Sequence, residues 1–242
     1  MKHGVVYCAS TGTAPLANLE FVKECEISAK RVKELHSDIH ITLVVDSSIE
    51  NISDCFDNVV RLGGNFLGVF PYDSFKNPHS RFNLKMFSYL ASPYEHTIYL
   101  DSDTYMLNDE PYLYELFEIT SDYDFMAAVE PRADDMFQLG VCSFKKNYDF
   151  LFEWLKVHVN LDPSVDDCYS DQSSLKTLLS PSNKNNKFDL NAKVLHHEWN
   201  WRDRKINGRL SDTKKFYEKG LHRHEIKILH NRWKLQKIGK FK

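Results

Sequence analysis

Short apolar runs alternate with stretches of helical period through the first two thirds of the chain, and this alternation constrains the fold more than any other feature. Residues 4–9 form an apolar run closed by the turn-prone Ser10-Thr11-Gly12-Thr13. Val22, Cys25, Ala29 and Val32 then recur at helical spacing, which predicts an amphipathic helix over about residues 15–36. Residues 39–45 read as a second strand closed by Asp46-Ser47-Ser48, and residues 59–62 as a short third. After a Gly63-Gly64 break and an aromatic loop through Pro78, residues 81–90 carry Phe82, Met86, Tyr89 and Leu90 on one helical face. Residues 97–100, 124–129 and 139–144 read as strands, 148–159 and 170–179 as helices, and 193–195 and 226–229 as short strands. Elements in this order predict an α/β fold with a mostly parallel, Rossmann-like central sheet flanked by helices.

The chain has 242 residues, 42% of them hydrophobic, enough to bury one sizeable core. The first residues carry too short an apolar stretch for a signal peptide, and no segment approaches the roughly 20 apolar residues of a membrane span. The sequence therefore reads as a cytoplasmic protein. Its cysteines (Cys8, Cys25, Cys55, Cys142, Cys168) are dispersed and odd in number, and read as reduced core residues. The net charge of −3 hides a division: residues 191–242 hold 15 Lys and Arg against 5 Asp and Glu, the remainder 16 against 29. A basic segment of this kind suits a phosphorylated ligand, an anionic membrane, nucleic acid or plain solvation, and no nucleic-acid-binding motif accompanies it.

The chemistry concentrates at Ile98-Tyr99-Leu100-Asp101-Ser102-Asp103-Thr104. On a strand, Asp101 and Asp103 point the same way, Cα atoms roughly 6 to 7 Å apart, with Ser102 opposite. Both carboxylates can then lean onto one hard cation, as Mg²⁺ and Mn²⁺ sites that handle phosphorylated substrates require. Three polar segments, 10–13, 46–48 and 101–104, fall at strand carboxyl ends, where open α/β sheets bind ligands. Arg81 and Lys85, at i and i+4 on the preceding helix, supply cations that can contact a diphosphate or keep Asp101 ionised. A phosphatase of the haloacid-dehalogenase type would place its threonine one residue later than Thr104, and a calcium loop would need other residues at Tyr105 and Met106.

The order Arg81, Lys85, Asp101-Ser102-Asp103-Thr104 and Leu107 resembles the DxD region of GT-A fold glycosyltransferases, in particular the glycogenin and galactosyltransferase-like family 8. Three later segments keep the family's order. Phe137-Gln138-Leu139-Gly140-Val141 is similar to its Phe-Asn-x-Gly-Val, Asp171-Gln172 matches its Asp-Gln, and His230-Asn231-Arg232-Trp233-Lys234 is similar to its C-terminal ligand segment. The first of these departs at Gln138 and Leu139, and the last lacks the family's Gly and Pro.

The resemblance implies a single GT-A domain over 1–242, with a nucleotide-binding half (1–110), a sugar and acceptor half (111–190) and a basic segment (191–242) that closes over the diphosphate. It implies metal ligands Asp101, Asp103 and His230, a Mn²⁺ or Mg²⁺ cofactor, and a nucleotide-diphosphate sugar donor with a hydroxyl acceptor. Tyr7, Ala9, Ser10, Thr11, Arg81, Lys85, Ser102, Gln138 and Lys234 would hold the donor, and Lys85, Asp171 and Gln172 would act at the reacting sugar. UDP as carrier and retention of configuration follow from the likeness to family 8. Asp171, Asp134 or Asp135 could instead serve as the base of an inverting enzyme. Two other readings stay open at this point. Asp171 is also a natural helix N-cap, and Tyr7 can as easily be core. His196-His197-Glu198-Trp199-Asn200-Trp201-Arg202 suits a sugar-binding wall or a packed turn with two buried indoles. A non-catalytic module of the same fold that binds a nucleotide or glycan is the alternative function.

Overall fold

A computed structural model describes residues 2–9, 21–46, 49–62, 65–66, 70–71, 80–107, 110–130, 133–162, 170–180, 190–200 and 227–230. Among them the chain runs β1 (His3–Ala9), α1 (Phe21–Leu35), β2 (Ile41–Asp46), β3 (Asn58–Leu62), β4 (Asn65–Phe66), β5 (Phe70–Pro71), α2 (Ser80–Ala91), β6 (His96–Leu100) and β7 (Thr104–Met106). It continues through α3 (Tyr112–Thr120), β8 (Phe125–Glu130), β9 (Ala133–Lys145), α4 (Tyr148–Val159), α5 (Ser170–Leu179), β10 (Ala192–Leu195), a 3-10 turn (His197–Trp199) and β11 (Ile228–His230).

Seven strands form one sheet in the order β10-β8-β9-β6-β1-β2-β3. All neighbours are parallel except β9, which runs antiparallel between β6 and β8. β10, from the basic segment, is an edge strand of this same sheet.

Both faces are covered, which is why the inner strands read as nearly continuous apolar runs. Along β1, Val5, Tyr7 and Ala9 pack toward α1 and α3 through Cys25, Ala29, Val32, Leu113 and Leu116. Val6 turns the other way, into the layer where α2, α4 and α5 contribute Phe87, Trp154 and Leu175. The result is a three-layer sandwich with the sheet in the middle. α3, the short strands β4, β5 and β7, and the 3-10 turn have no counterpart in the sequence periodicity. Cys8, Cys25, Cys55 and Cys142 are free thiols, and Cys168 lies outside the described residues. Among the described residues no helix is long and apolar enough to cross a membrane.

Candidate active site

β6 ends at Leu100, so the acidic pair leaves the sheet at a strand carboxyl end. The spacing argument placed both aspartates on a strand, but Asp101 to Asp103 form a turn. The Asp101 N–H donates to Gly140 O (2.8 Å), and the Thr104 N–H donates back to Asp101 O (3.1 Å). This turn, rather than strand alternation, brings the carboxylates together. The chain then enters β7, which pairs antiparallel with β11 so that His230 lies opposite Thr104.

His230 Nε2 consequently sits 3.0 Å from Asp103 Oδ1 and 3.5 Å from Asp101 Oδ2. One ligand atom from each of the three residues lies within 4.8 Å of the others. Two carboxylate oxygens and an imidazole nitrogen make a donor set that fits Mn²⁺ or Mg²⁺, with the nitrogen favouring Mn²⁺.

A second charged cluster adjoins the first. Lys85 Nζ is 3.0 Å from Asp101 Oδ1 and 3.0 Å from Asp171 Oδ2, with Lys85 only 6% and Asp171 only 2% exposed. Burial opposes the lysine's charge, but the carboxylates of Asp101 and Asp171 outweigh it and hold the ammonium above its ordinary pKa. Lys85 also lies 5.0 Å from the centroid of the Tyr99 ring.

Asp101 is tied to β1 from both faces of the sheet. The Tyr99 hydroxyl donates to Asp101 Oδ1 (3.0 Å), so the neighbouring Cys8 thiol, 3.1 Å away, is left to donate to Tyr99. Burial pushes the Cys8 thiol up to about 11, which keeps it protonated for that task. On the opposite face Thr104 Oγ1 donates to Asp101 O (2.8 Å) and accepts from Ser28 (3.4 Å), which in turn accepts from Tyr7 (2.8 Å).

The Tyr7 side chain is buried in the core and its hydroxyl is hydrogen-bonded to Ser28, in line with the core reading of this residue. A strand run ending at a site does not disclose which of its alternating side chains faces the ligand. Ala9 is buried at the end of β1. The Ser102 hydroxyl donates to Glu24 Oε2 (2.9 Å), a buried carboxylate of α1, so this side chain braces the turn from below.

Asp171 lies inside the first turn of α5, where its Oδ1 accepts from Gln172 N (2.9 Å) while Oδ2 pairs with Lys85. That contact differs from an N-cap, whose acceptor serves a donor two or three residues on. Gln172 is buried, and its Oε1 has no hydrogen-bond partner among the described residues. Gln138 is buried in β9, and its carbonyl oxygen accepts from Asn200 Nδ2 (3.1 Å).

Trp199 is a buried indole packed edge-on against Tyr112, with Lys227 4.2 Å above its ring, so the packed-turn reading holds for this residue. Ser10, Thr11, Trp201 and Lys234 lie outside the described residues, as do the side chains of Arg81, Asp134 and Asp135.

Sequence reasoning missed the parts played by Tyr99, Gly140 and Glu24. Tyr99 was open to inference, since residues two apart on a strand share a face. Gly140, inside β9, leaves room for the ring of His230. A Cβ there would overlap the imidazole ring.

No protein-family model matches the chain, and no curated relative matches it. Solved structures do. The glycosyltransferase GlyE of Streptococcus pneumoniae TIGR4 aligns over 95% of this chain at 18% identity and a TM-score of 0.62. The fold is GT-A. The chain spans 55% of GlyE's length. Galactosyltransferase LgtC, solved with donor and acceptor sugar analogs, aligns over 94% of this chain and 86% of its own at 13% identity and a TM-score of 0.53. Mouse xyloside xylosyltransferase 1 aligns over 96% of this chain and 98% of its own at 13% identity and a TM-score of 0.54.

Proposed function

We propose that the protein is a metal-dependent glycosyltransferase that moves a sugar from a nucleotide-diphosphate donor to a hydroxyl acceptor. The observation that carries this reading is the convergence of Asp101 Oδ2, Asp103 Oδ1 and His230 Nε2 beside the buried Lys85–Asp171 pair, at the strand ends of a GT-A sheet.

Asp101, Asp103 and His230 would hold Mn²⁺ or Mg²⁺. Bound there, the ion neutralises the charge that builds on the diphosphate as it leaves the sugar. Lys85 joins Asp101 and Asp171 in one electrostatic unit. Asp171 and Gln172 belong at the sugar, and a buried amide oxygen with no partner among the described residues supports this, because such atoms are normally satisfied. A sugar hydroxyl could donate to Gln172 Oε1 there.

Ser10, Thr11, Arg81 and Lys234 are assigned to nucleotide and phosphate contact by resemblance, and Ala9 through its backbone. The same resemblance favours UDP as carrier and retention of configuration, with 1–110, 111–190 and 191–242 as the nucleotide, sugar and closing parts of one domain.

A thermal-shift panel of UDP-, GDP- and dTDP-sugars with and without Mn²⁺ tests this reading. Ligand at 100 times its Kd stabilises by about 2.7 kcal/mol, so the correct carrier should raise Tm only when metal is present. Asp103→Ala should abolish that rise and Mn²⁺-dependent donor hydrolysis or transfer while leaving circular dichroism unchanged. Full activity in that variant or in EDTA, or no response to any nucleotide sugar, would overturn it.

A further inference from the structure

We infer that Asn200 is a positioning residue that keeps the hydrogen of His230 on Nδ1 and so leaves Nε2 free to bind the cation that Asp101 and Asp103 would share. The inference deepens the metal-dependent reading above and rests on it.

A neutral imidazole donates through one nitrogen and accepts through the other, so the partner of either nitrogen decides the role of both. Asn200 is 2% exposed and placed between two fixed groups. Its amide Nδ2 donates to the backbone carbonyl of Gln138 at 3.1 Å. A carbonyl can only accept, so turning the Asn200 amide over would set oxygen against oxygen. Oδ1 must then face His230 Nδ1, at 3.0 Å. Because Oδ1 can only accept, Nδ1 carries a hydrogen, and Nε2 is the nitrogen left to bind a cation held together with the carboxylates 3.0 and 3.5 Å away.

The ring has little freedom to escape this arrangement. It occupies the space that a side chain at Gly140 would fill, and the backbone carrying it is paired to β7. β9 thus contributes twice, through the bare Cα of Gly140 and through the carbonyl of Gln138 two residues earlier. Ligating histidines generally have their second nitrogen held in this way, and loss of such a partner costs about 10- to 100-fold in metal affinity.

The test separates tautomer control from simple packing. Asn200→Leu keeps size and removes the acceptor. Asn200→Asp keeps an acceptor for Nδ1–H but loses the donor to Gln138. Mn²⁺ binding is measured by electron paramagnetic resonance alongside thermal unfolding of the metal-free proteins. Both variants should unfold at lower temperature, whereas Mn²⁺ affinity should fall by about 10- to 100-fold in Asn200→Leu and stay near the wild-type value in Asn200→Asp. Asn200→Ala replaces Asn200→Leu should the latter fail to fold, with the same loss expected. Equal affinity in wild type and Asn200→Leu, or equal losses in the Leu and Asp variants, would overturn the role of Asn200 alone. Absence of Mn²⁺ binding in the wild type would overturn the metal reading as well.

Discussion

The imidazole of His230 fills the space that a side chain on Gly140 would need. A backbone on one strand and a ligand on another are thereby fitted to each other, and Gly140→Ala should displace the ring. The variant is expected to lose about 1 to 3 kcal/mol of stability through overpacking. Removing the ring as well, in Gly140→Ala/His230→Ala, should recover part of that loss relative to Gly140→Ala alone. Urea unfolding of the four proteins in the cycle checks this, and strictly additive effects would contradict the fit.

Lys85 lies between two carboxylates, one of them deeply buried. Its replacement by methionine should cost about 3 to 5 kcal/mol, most of it from the uncompensated charge left on Asp171. Lys85→Met/Asp171→Asn should then be less destabilised than the sum of the single variants by at least about 1 kcal/mol. Chemical denaturation gives the coupling energy directly, and a value near zero would mean that the pair is not an electrostatic unit.

Tyr99→Phe removes the hydroxyl that holds Asp101 Oδ1 but keeps the aromatic packing around it. Asp101 then swings more freely, and Mn²⁺ affinity should drop by about 10-fold, at the low end for a group that orients a metal ligand. Calorimetric titration of Mn²⁺ into both proteins measures it. Unchanged affinity would reduce the tyrosine to a core residue.

How much of this was open to reading from residue order alone depends on how local each cause is. The acidic pair stands out because two carboxylates closing an apolar run are unusual in themselves, whereas His230 was within reach only through the resemblance of its segment to the family's. The helices 148–159 and 170–179 match the structure to the residue because their periodicity and ends are self-contained. α3 escaped notice: its buried Leu113, Leu116, Phe117 and Thr120 keep helical spacing, but Tyr114 and Ile119 on the exposed side blur the pattern. β7 is a strand only because β11 lies beside it. The partners of Asn200 and Glu24 are likewise products of chain crossings, and no spacing rule points to them.

His96 provides a pH dependence away from the metal residues. Burial, helped by the charges of Lys145 and His3, lowers its pKa to about 4, and its Nε2 is engaged by Ser143 at 2.7 Å. Unfolded, the same ring titrates near about 6.5. Above that pH neither state holds the proton, and the contribution is constant. Between about 6.5 and 4 the unfolded state takes up a proton that the folded state refuses, so stability falls as pH falls, by at most about 1.4 kcal/mol per pH unit. Below about 4 the loss levels off. Comparing urea midpoints at about pH 7 and about pH 5, His96→Gln should lose less stability than the wild type. An identical pH response would refute the assignment.

The ladder between β7 and β11 has a consequence for how the site can fail. Side chains on a strand alternate, so a slip of one residue in β11 would turn His230 to the opposite face and bring Leu229 to the acidic turn instead. The metal set is therefore all or nothing: intermediate positions of β11 do not exist on a hydrogen-bonded ladder. Mn²⁺ uptake then serves as a readout of correct strand pairing between segments far apart in the chain, and a misassembled population would show as a fraction of non-binding molecules rather than as uniformly weaker binding.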